Sequence, residues 1–343
     1  MNADRRDHGP GAGRSAEDCA GIPGRLASMM WVILTAVLLL CGAAACGGSL
    51  KSYTDVYFIG GVPHRYFSAG DASVIKLPGG KTLGIDFVTD TFVPYHKETE
   101  SSAEHLLREY GRLGIDRLDY IVISHWHGDH AGGLKYLVEK GFDIRGAVVF
   151  VPDVKTMERL AAGDKPAYNQ PNRLFPEIVN MLREQGCAIV CPEDGEKVYL
   201  SGASLTFYNN DMEYLGLNGD YNNFSLVCAL DYGGQRVLFT GDISLEAQRH
   251  IAPRMSGAQV LKSMHHSWTP IDKGFMDAVS PDMVVSMDGN AHDKYIYEPK
   301  SEIQPWAEEH HAPHYRTNVN GTVGVRLSRK GVALLTDSKP FVR

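Results

Sequence analysis

The 343-residue sequence predicts an α/β fold in which two mixed β-sheets pack face to face, with helices on their outer sides. Two observations predict it. From Tyr53 onward, short β-rich apolar runs alternate with amphipathic helical runs, and no convincing linker interrupts them. The alternation also falls into two halves, each a set of strands with its own covering helices. We therefore expect a single domain over residues 52–343, preceded by a separate segment, residues 1–51.

The composition excludes several classes of protein. With 43% hydrophobic and 22% charged residues, the chain is neither disordered nor a coiled coil. Its 34 Lys and Arg face 41 Asp and Glu, which gives a formal net charge of −7. A chain this acidic lacks the broad basic surface of a general nucleic-acid binder.

The N-terminal segment has the pattern of an export signal. An apolar run, residues 29–40, follows Arg25 and precedes small residues. It is short for a membrane span, which needs about 20 apolar residues, and fits a secretory signal. The small residues before Cys46 resemble a bacterial lipoprotein processing site, with Cys46 as the lipidated residue. We expect an exported protein, extracellular or membrane-anchored; simple cleavage and a retained N-terminal anchor are the alternatives.

In the first half of the domain, apolar runs bounded by turn residues predict strands, and amphipathic runs predict helices. The predicted strands are Asp55–Gly60, Ala72–Leu77, Thr82–Phe87, Asp119–Ser124, Ala147–Val151 and Ala188–Cys191. Helices are predicted over Ser101–Arg112, capped by one of its first serines, and over Ala131–Lys140. The stretch Asp164–Pro176 contains three prolines and is predicted to be a long surface loop.

The second half repeats the pattern. Its predicted strands are Leu205–Tyr208, Phe224–Asp231, Arg236–Thr240, Val260–Ser263, Met283–Ser286, and two near Gly324–Leu327 and Val332–Leu335. Its predicted helices are Ser244–Ile251, Gly274–Ala278 and Ser301–Glu309. Gly233-Gly234 between two strands predicts a tight hairpin.

The strongest chemical signal is a run of six residues, His125-Trp126-His127-Gly128-Asp129-His130, directly after an apolar strand. Histidine supplies a neutral imidazole nitrogen and aspartate a carboxylate oxygen, the mixture that zinc, manganese and iron prefer. Four such side chains within six residues at a strand exit predict a metal site.

Two other predicted strands end in groups of the same kind. One is followed by Thr240-Gly241-Asp242, and the two oxygens of Asp242 suit it to bridge two metals. The other is followed by the paired residues His265 and His266. Each signal is weak alone, but three strand ends carrying metal-binding groups in one alternating chain reinforce one another.

These motifs resemble the metallo-β-lactamase superfamily and, within it, the hydrolase domain of ComEC-type competence proteins. The resemblance covers most of residues 53–336. It rests on Gly70-Asp71-Ala72, Gly84-Ile85-Asp86, the histidine-rich run, Tyr221-Asn222-Asn223-Phe224-Ser225, Thr240-Gly241-Asp242, the strand that ends in His265-His266, and Tyr315 to Thr322. It implies a four-layer αββα metallo-β-lactamase fold.

The resemblance also implies roles for these residues. A first metal would be held by His125 and His127, a second by Asp129 and His130, and Asp242 would bridge them. Either His265 or His266 would complete the second site; we favour His266 as the ligand and His265 as a donor that faces the phosphate. Catalytic roles would fall to Asp129, Asp242 and His265. Asp86 would accept a hydrogen bond behind the metal motif.

One feature departs from the superfamily pattern. Many members use a third histidine on the first metal, but this chain has no His between His130 and His250. Asn222 and Asn223 lie near that place and are expected to support the ligands without binding metal. We therefore expect two divalent ions, zinc favoured over manganese, with the first site weakly held.

The leading functional hypothesis is metal-dependent hydrolysis of a phosphodiester outside the cytoplasm, in which metal-bound hydroxide attacks phosphorus. Similar proteins suggest two phosphoester substrates: DNA, as in ComEC-type domains, and cell-wall polymers, as in phosphorylcholine esterases. The acidic charge favours an envelope or extracellular substrate over DNA. Lactam, thioester or lactone hydrolysis is an alternative. A non-catalytic, metal-binding envelope lipoprotein is another.

Some remaining residues have structural interpretations. Trp126 and Trp268 either pack or form an aromatic wall for a substrate. Cys228 is expected to be a buried thiol, and Cys187 and Cys191 are too far apart on a straight strand for a disulfide. His314 is expected near a helix end, where histidine is favourable.

Overall fold

The computed structural model describes residues 51–60, 70–89, 101–152, 171–210, 221–287 and 302–336. All of them lie in the second of two units into which the chain divides, Gly48–Arg343. The segment predicted to direct export and Cys46 lie outside these ranges, so the predictions about them, including the division at residue 51, stay predictions. Within the described ranges, no helix has the length and apolar character needed to cross a bilayer.

The first sheet contains eight described strands in the order β15-β14-β1-β2-β3-β4-β5-β6. They are β1 (Tyr53–Phe58), β2 (Ala72–Lys76), β3 (Thr82–Phe87), β4 (Tyr120–Val122), β5 (Val148–Phe150), β6 (Ala188–Val190), β14 (Val323–Ser328) and β15 (Gly331–Leu334). Strands β3 to β6 run parallel, because helices connect them on one face. These helices are α1 (Ser102–Arg112), α2 (Gly128–Glu139) and α3 (Pro171–Glu184).

The second sheet contains seven described strands in the order β13-β12-β11-β10-β9-β8-β7. They are β7 (Lys197–Leu200), β8 (Ala203–Tyr208), β9 (Val227–Tyr232), β10 (Gln235–Phe239), β11 (Val260–Lys262), β12 (Met283–Ser286) and β13 (His314–Arg316). Four helices are described in this half: α4 (Leu245–Ile251), α5 (Lys273–Val279), α6 (Ile303–Glu309) and α7 (Thr317–Asn320).

Three apolar clusters hold these elements in four layers, helix–sheet–sheet–helix. The central cluster joins the two sheets, with the tilted rings of Phe58 and Phe239 at 5.8 Å and those of Phe150 and Phe207 at 4.9 Å between centroids. A second cluster packs α1 to α3 on the first sheet, and a third packs α4 to α6 on the second. The predicted αββα architecture is confirmed.

The predicted hairpin at Gly233-Gly234 is present. Tyr232 pairs directly with Gln235, so the two glycines alone form the turn, with φ values of 64° and 84°. Both angles lie in the left-handed region that a type I′ turn requires and that glycine adopts without strain.

The predicted surface loop at Asp164–Pro176 is wrong over its last six residues, which belong to α3. Residues 164–170 lie outside the described ranges. The proline count suggested a loop, but Pro171 occupies the first helical position, where a missing N–H costs little. The apolar spacing of Leu174, Ile178 and Leu182 buries one helix face, and this burial outweighs the cost of Pro176 inside the helix.

Smaller differences have local causes. The strand predicted from Phe224 begins at Val227, because Tyr221–Phe224 forms a 3₁₀ turn instead. Strand β7 was not predicted, since its sequence is short and half polar. Trp126 is 1% exposed and packs edge-on against Phe175, so it is a core residue and not a substrate wall. Cys228 is buried, and Cys187 and Cys191 are free thiols, as expected.

The expectation that His314 lies near a helix end is wrong. His314 lies in the buried strand β13, with 3% of its surface exposed. Its Nε2 lies 2.7 Å from Ser286 Oγ, and its Nδ1 contacts Gln304 Oε1. Burial, with a smaller contribution from the charge of Arg316, lowers the pKa of His314 to about 4.

This shift makes stability depend on pH. The folded-state pKa lies below the unfolded value, so the unfolded chain binds the proton first as the pH falls from about 6.5 to about 4. Over that pH window we expect the unfolding free energy of the wild type to fall by about 3 kcal/mol more than that of a His314→Gln variant. Urea unfolding of both proteins at several pH values measures this; parallel curves for the two proteins would contradict it.

Candidate metal centre

The side chains singled out at strand ends meet at one edge of the two facing sheets. Asp86 is at the carboxyl end of β3, and residues 125–130 follow β4, its parallel neighbour. Asp242 follows β10, and His265 and His266 follow β11, again parallel neighbours. Because carboxyl ends of parallel strands share an edge, residues far apart in sequence are brought together there.

The centre of the cluster is Asp242 Oδ2. Two imidazole nitrogens lie close to it: His130 Nε2 at 3.0 Å and His266 Nε2 at 3.2 Å. The same His266 nitrogen lies 3.4 Å from Asp129 Oδ2 and 3.3 Å from His130 Nε2. These four side chains, all predicted for the second metal, therefore point their donor atoms at a common point.

The two residues predicted for the first metal adjoin this cluster. His125 Nε2 lies 3.0 Å from His127 Nδ1 and 3.9 Å from Asp242 Oδ2. On the other side of its ring, His125 Nδ1 faces the hydroxyls of Ser124 at 3.1 Å and Ser225 at 3.3 Å. Asp242 is thus placed between both predicted histidine pairs.

The two adjacent histidines differ in exposure. His266 is 3% exposed, and its Nε2 faces both Asp129 and Asp242. His265 has 30% of its side chain exposed, and its Nε2 is 3.8 Å from Asp242 Oδ2. This arrangement favours His266 over His265 as the inward-facing donor.

Asp86 lies behind the histidine-rich run, as expected. The register of β2 and β3 slips at this point, which leaves Asp86 as a bulge residue with a φ of 58°. The bulge turns its carboxylate inward, where Oδ2 lies 2.9 Å from His130 Nδ1. The same carboxylate accepts hydrogen bonds from Ser124 N at 2.8 Å and from Ser124 Oγ at 2.7 Å.

Two charged residues at the site were not predicted as site residues. Asp71 lies beside His266 Nδ1, with its Oδ1 at 3.1 Å, and forms an ion pair with the buried ammonium of Lys262. Lys262 also donates to Gly241 O at 3.0 Å and lies 3.8 Å from Asp242 Oδ1. The sequence signal for Asp71 was its place in the motif Gly70-Asp71-Ala72, on which the resemblance rests in part; Lys262 looked like an ordinary strand residue.

Asn222 and Asn223, expected to support the ligands, lie in the 3₁₀ turn before β9. The side chain of Asn223 accepts from Ser244 N at 3.1 Å and therefore faces the start of α4. Ser225 instead reaches the ligands: its hydroxyl contacts His125 and accepts a hydrogen bond from Asp242 N at 3.0 Å. Sequence reasoning missed Ser225.

Burial and charge set opposite protonation preferences within the cluster. Burial lowers the pKa of His125 well below its usual value and also lowers the pKa of His127. Burial also acts against the charged form of His130, but the carboxylates of Asp242 and Asp86 outweigh it and hold its pKa well above the ordinary value. The pKa of Asp242 is held well below its usual range by His130 and His266 despite burial.

The donor set fits a divalent cation. Among the described residues, Asp129 Oδ1 and Asp242 Oδ1 are buried and have no hydrogen-bond partner. One atom from each of Asp71, His130, Asp242 and His266 lies within 4.8 Å of all the others. Facing imidazole nitrogens and orphaned carboxylate oxygens are costly without a cation between them. Of the four, Asp71 contacts the outer nitrogen of His266, which suits it to orient that ring.

Asp86→Asn tests the role of the carboxylate behind His130. Asn tolerates the left-handed backbone of this bulge but carries no negative charge to hold the ring. We expect the affinity for zinc to fall about 10- to 100-fold, measured by competition with a chromophoric chelator. Asp119→Asn, just before the opposite end of β4, is the control and should leave the affinity unchanged. Equal affinities for wild type and Asp86→Asn would contradict the assigned role.

Comparison with known proteins agrees with this geometry. A family model described as the metallo-beta-lactamase superfamily matches residues 65–269, more than half of the chain. Competence protein ComA of Neisseria gonorrhoeae is 27% identical over 223 residues, which cover 64% of this chain and 27% of that protein. Endoribonuclease YSH1 of Kluyveromyces lactis is 25% identical over 202 residues, covering 54% and 24%. The chain thus spans about a quarter of the length of these relatives.

Solved structures also match. The metallo-beta-lactamase fold protein YhfI from Bacillus subtilis is 12% identical, with a TM-score of 0.46 over 77% of this chain and 95% of that one. A metallo-beta-lactamase from Cronobacter sakazakii is 18% identical, with a TM-score of 0.40 over 65% and 78%. By the family model that matches more than half of its residues, the chain belongs to the metallo-β-lactamase superfamily.

Proposed function

We propose that this protein is an exported, metal-dependent phosphodiesterase. One observation carries the proposal: four imidazoles and the carboxylate of Asp129 gather around Asp242, with His265 at the exposed rim. The buried part of this cluster suits cations, and the exposed histidine suits contact with a substrate oxygen.

The residues divide into two sets that would hold metal. Asp129, His130, His266 and Asp242 would hold one ion, and His125, His127 and Asp242 the other. When bound, divalent ions there supply Lewis-acid charge and a nucleophilic water. Zinc is favoured over manganese by the number of imidazole nitrogens. The set around His125 has fewer donors, and we propose that it holds its ion more weakly.

The residues of this chain position and protonate the substrate. Burial lowers the pKa of His265, which keeps its ring neutral near pH 7 despite the nearby charge of Asp242. A neutral imidazole donates one hydrogen bond, and at the rim it would donate to a phosphoryl oxygen or to the leaving group. Asp129 and Asp242 would hold the metals and orient the attacking water.

The choice of a phosphodiester is supported by resemblance and by relatives. Endoribonuclease YSH1, by its name, cleaves RNA, which is a phosphodiester, and two competence proteins match a similar share of this chain. The net charge of −7 argues against a long polyanion as the substrate. We therefore propose an envelope or extracellular phosphodiester as the substrate and treat DNA as the competing choice.

Metal content and substrate preference together test the proposal. The purified protein is treated with chelator, reloaded with zinc or manganese, and assayed on bis(p-nitrophenyl) phosphate, nitrocefin, a thioester and a lactone. About two ions per chain and turnover of the diester alone would support it. DNA and choline-phosphate polymers are then compared directly. Turnover of nitrocefin, thioester or lactone without turnover of the diester would favour the alternative hydrolase over the proposed phosphodiesterase. Metal binding without turnover of any of these substrates would favour a binding module.

We further propose that Cys46 is the lipidated N-terminus of the mature protein. The support is the apolar run behind Arg25 followed by small residues up to Cys46. Expressed with a C-terminal tag in a bacterium, the wild type should fractionate with membranes and give an acylated Cys46 peptide by mass spectrometry. Cys46→Ser should lose both properties. An unmodified mature N-terminus elsewhere, or an uncleaved chain, would exclude lipidation.

A further inference from the structure

The turn that carries the paired histidines has an unusual backbone. His265, His266 and Ser267 are consecutive, and their φ values are 45°, 51° and 67°. Residues other than glycine visit this left-handed region mostly as single residues, because Cβ meets the following carbonyl. Three in succession persist only where neighbouring groups hold them.

A cluster of buried hydroxyls surrounds this turn. Ser267 Oγ lies 2.8 Å from Ser263 Oγ, at the end of β11, and also hydrogen-bonds Ser286 Oγ, at the end of β12. Ser263 Oγ lies 3.1 Å from Ser286 Oγ. All three serines are buried, so each hydroxyl bond here replaces water and would be costly to lose.

The hydroxyl cluster ends at His314, which sets the direction of its hydrogen bonds. An amide oxygen only accepts, so the contact of His314 Nδ1 with Gln304 Oε1 places the ring proton on Nδ1. His314 Nε2 must then accept from Ser286, at 2.7 Å. Because the Ser286 hydroxyl donates its proton to His314, the Ser286 oxygen can only accept hydrogen bonds from Ser267 and Ser263. The Ser267 hydroxyl is thereby directed away from the turn and into the core.

Two backbone bonds also act on this turn. His265 N donates to Gly241 O at 3.2 Å, and Trp268 N donates to His265 O at 2.7 Å. The bond from Trp268 N closes a four-residue turn around His266 and Ser267, and the bond from His265 N ties the start of that turn to the segment after β10. The side chain of Ser267 adds a direct link between the strained turn and the strands beneath it.

We infer that Ser267, held by Ser286 and His314, is a positioning residue that maintains the left-handed turn and so keeps His266 Nε2 against Asp129 and Asp242. This inference rests on the proposed metal site but not on phosphodiester hydrolysis. It concerns the affinity for metal, which is measured without any substrate.

A matched pair of substitutions at Ser267 tests it. Ser267→Ala removes the hydroxyl but keeps the Cβ strain, so the turn should relax and the zinc affinity should fall about tenfold or more. Ser267→Gly also removes the hydroxyl, but glycine adopts this backbone freely, so its affinity should stay within about threefold of wild type. If Ser267 only filled space, alanine would be the better replacement. An affinity of Ser267→Ala equal to or above that of Ser267→Gly would overturn the inference.

A second pair covers the case in which Ser267→Ala fails to fold. Ser286→Ala removes the group that receives the Ser267 proton and should lower zinc affinity about tenfold. Adding Ser267→Gly to it should restore most of that loss, because glycine removes the strain at position 267. Absence of this recovery would overturn the inference. A wild type that binds no metal would contradict both the metal site and this inference. Metal binding without turnover of the diester would contradict only the proposed function.

Discussion

Asp242→Ala is expected to lower the rate of the proposed phosphodiester hydrolysis on the order of a thousandfold. Its Oδ2 is the atom nearest to both His130 Nε2 and His266 Nε2, and it lies within 4 Å of His125 and His265 as well. Asp242 thus lies between the two predicted metal sets. Alanine would therefore remove the shared ligand, and we expect the metal content to fall by about one ion per chain or more.

Metal analysis and bis(p-nitrophenyl) phosphate turnover of the same preparation measure both effects. Asp277→Ala is the matched control, because Asp277 is an exposed carboxylate on α5 whose ion-pair partner is Lys273. The control should keep full metal content and full activity. Retention of more than about a tenth of wild-type activity by Asp242→Ala would argue against a bridging role.

Gly133→Ala is expected to lower the unfolding free energy by about 3 kcal/mol. Gly133 lies inside α2 where the helix touches the end of β3, and a Cβ there would come within 1.9 Å of Phe87 O. The contact is with backbone, which cannot rotate away. Gly133 N also donates to Val88 O at 3.0 Å, so the helix or the strand end must move. Asp86 and His130 lie on these two segments, and metal affinity should fall as well.

Gly111→Ala is the control for this substitution. Gly111 is also inside a helix, α1, but a Cβ there would meet nothing within 4 Å. Alanine is the better helix former, so this variant should gain about 0.5 to 1 kcal/mol. Urea unfolding of the three proteins decides the matter. Equal changes for the two variants would show that helix propensity, and not the close approach to Phe87, controls position 133.

Much of the fold was predictable because local pattern and tertiary packing agree. Strand β3 was predicted at its exact bounds, since Thr82–Phe87 is an apolar run between turn residues. The serine cap of α1 was predicted too, and Ser101 Oγ accepts from Glu104 N at 3.1 Å. Helix α3 was not predicted, and its residues 171–176 were assigned to a loop, because prolines signal a loop locally, whereas the burial that stabilises this helix comes from Trp126 and the first sheet.

The sequence by itself determined which strand ends carry metal-binding groups, because H-x-H-x-D-H is a local pattern and Asp242 and His265-His266 each follow an apolar run. The tertiary structure decided which groups stand behind them. Lys262 looks ordinary in sequence, and Asp71 and Ser225 lie in motifs that carry the resemblance but had no role assigned to them; all three acquire their roles only from distant partners. His130 and His266 are 136 positions apart, yet their nitrogens lie 3.3 Å from each other. Only the packing of two sheets brings such groups to one edge. The sequence of a strand specifies which residues follow its carboxyl end, but it does not specify which side chains from other strands lie beside them.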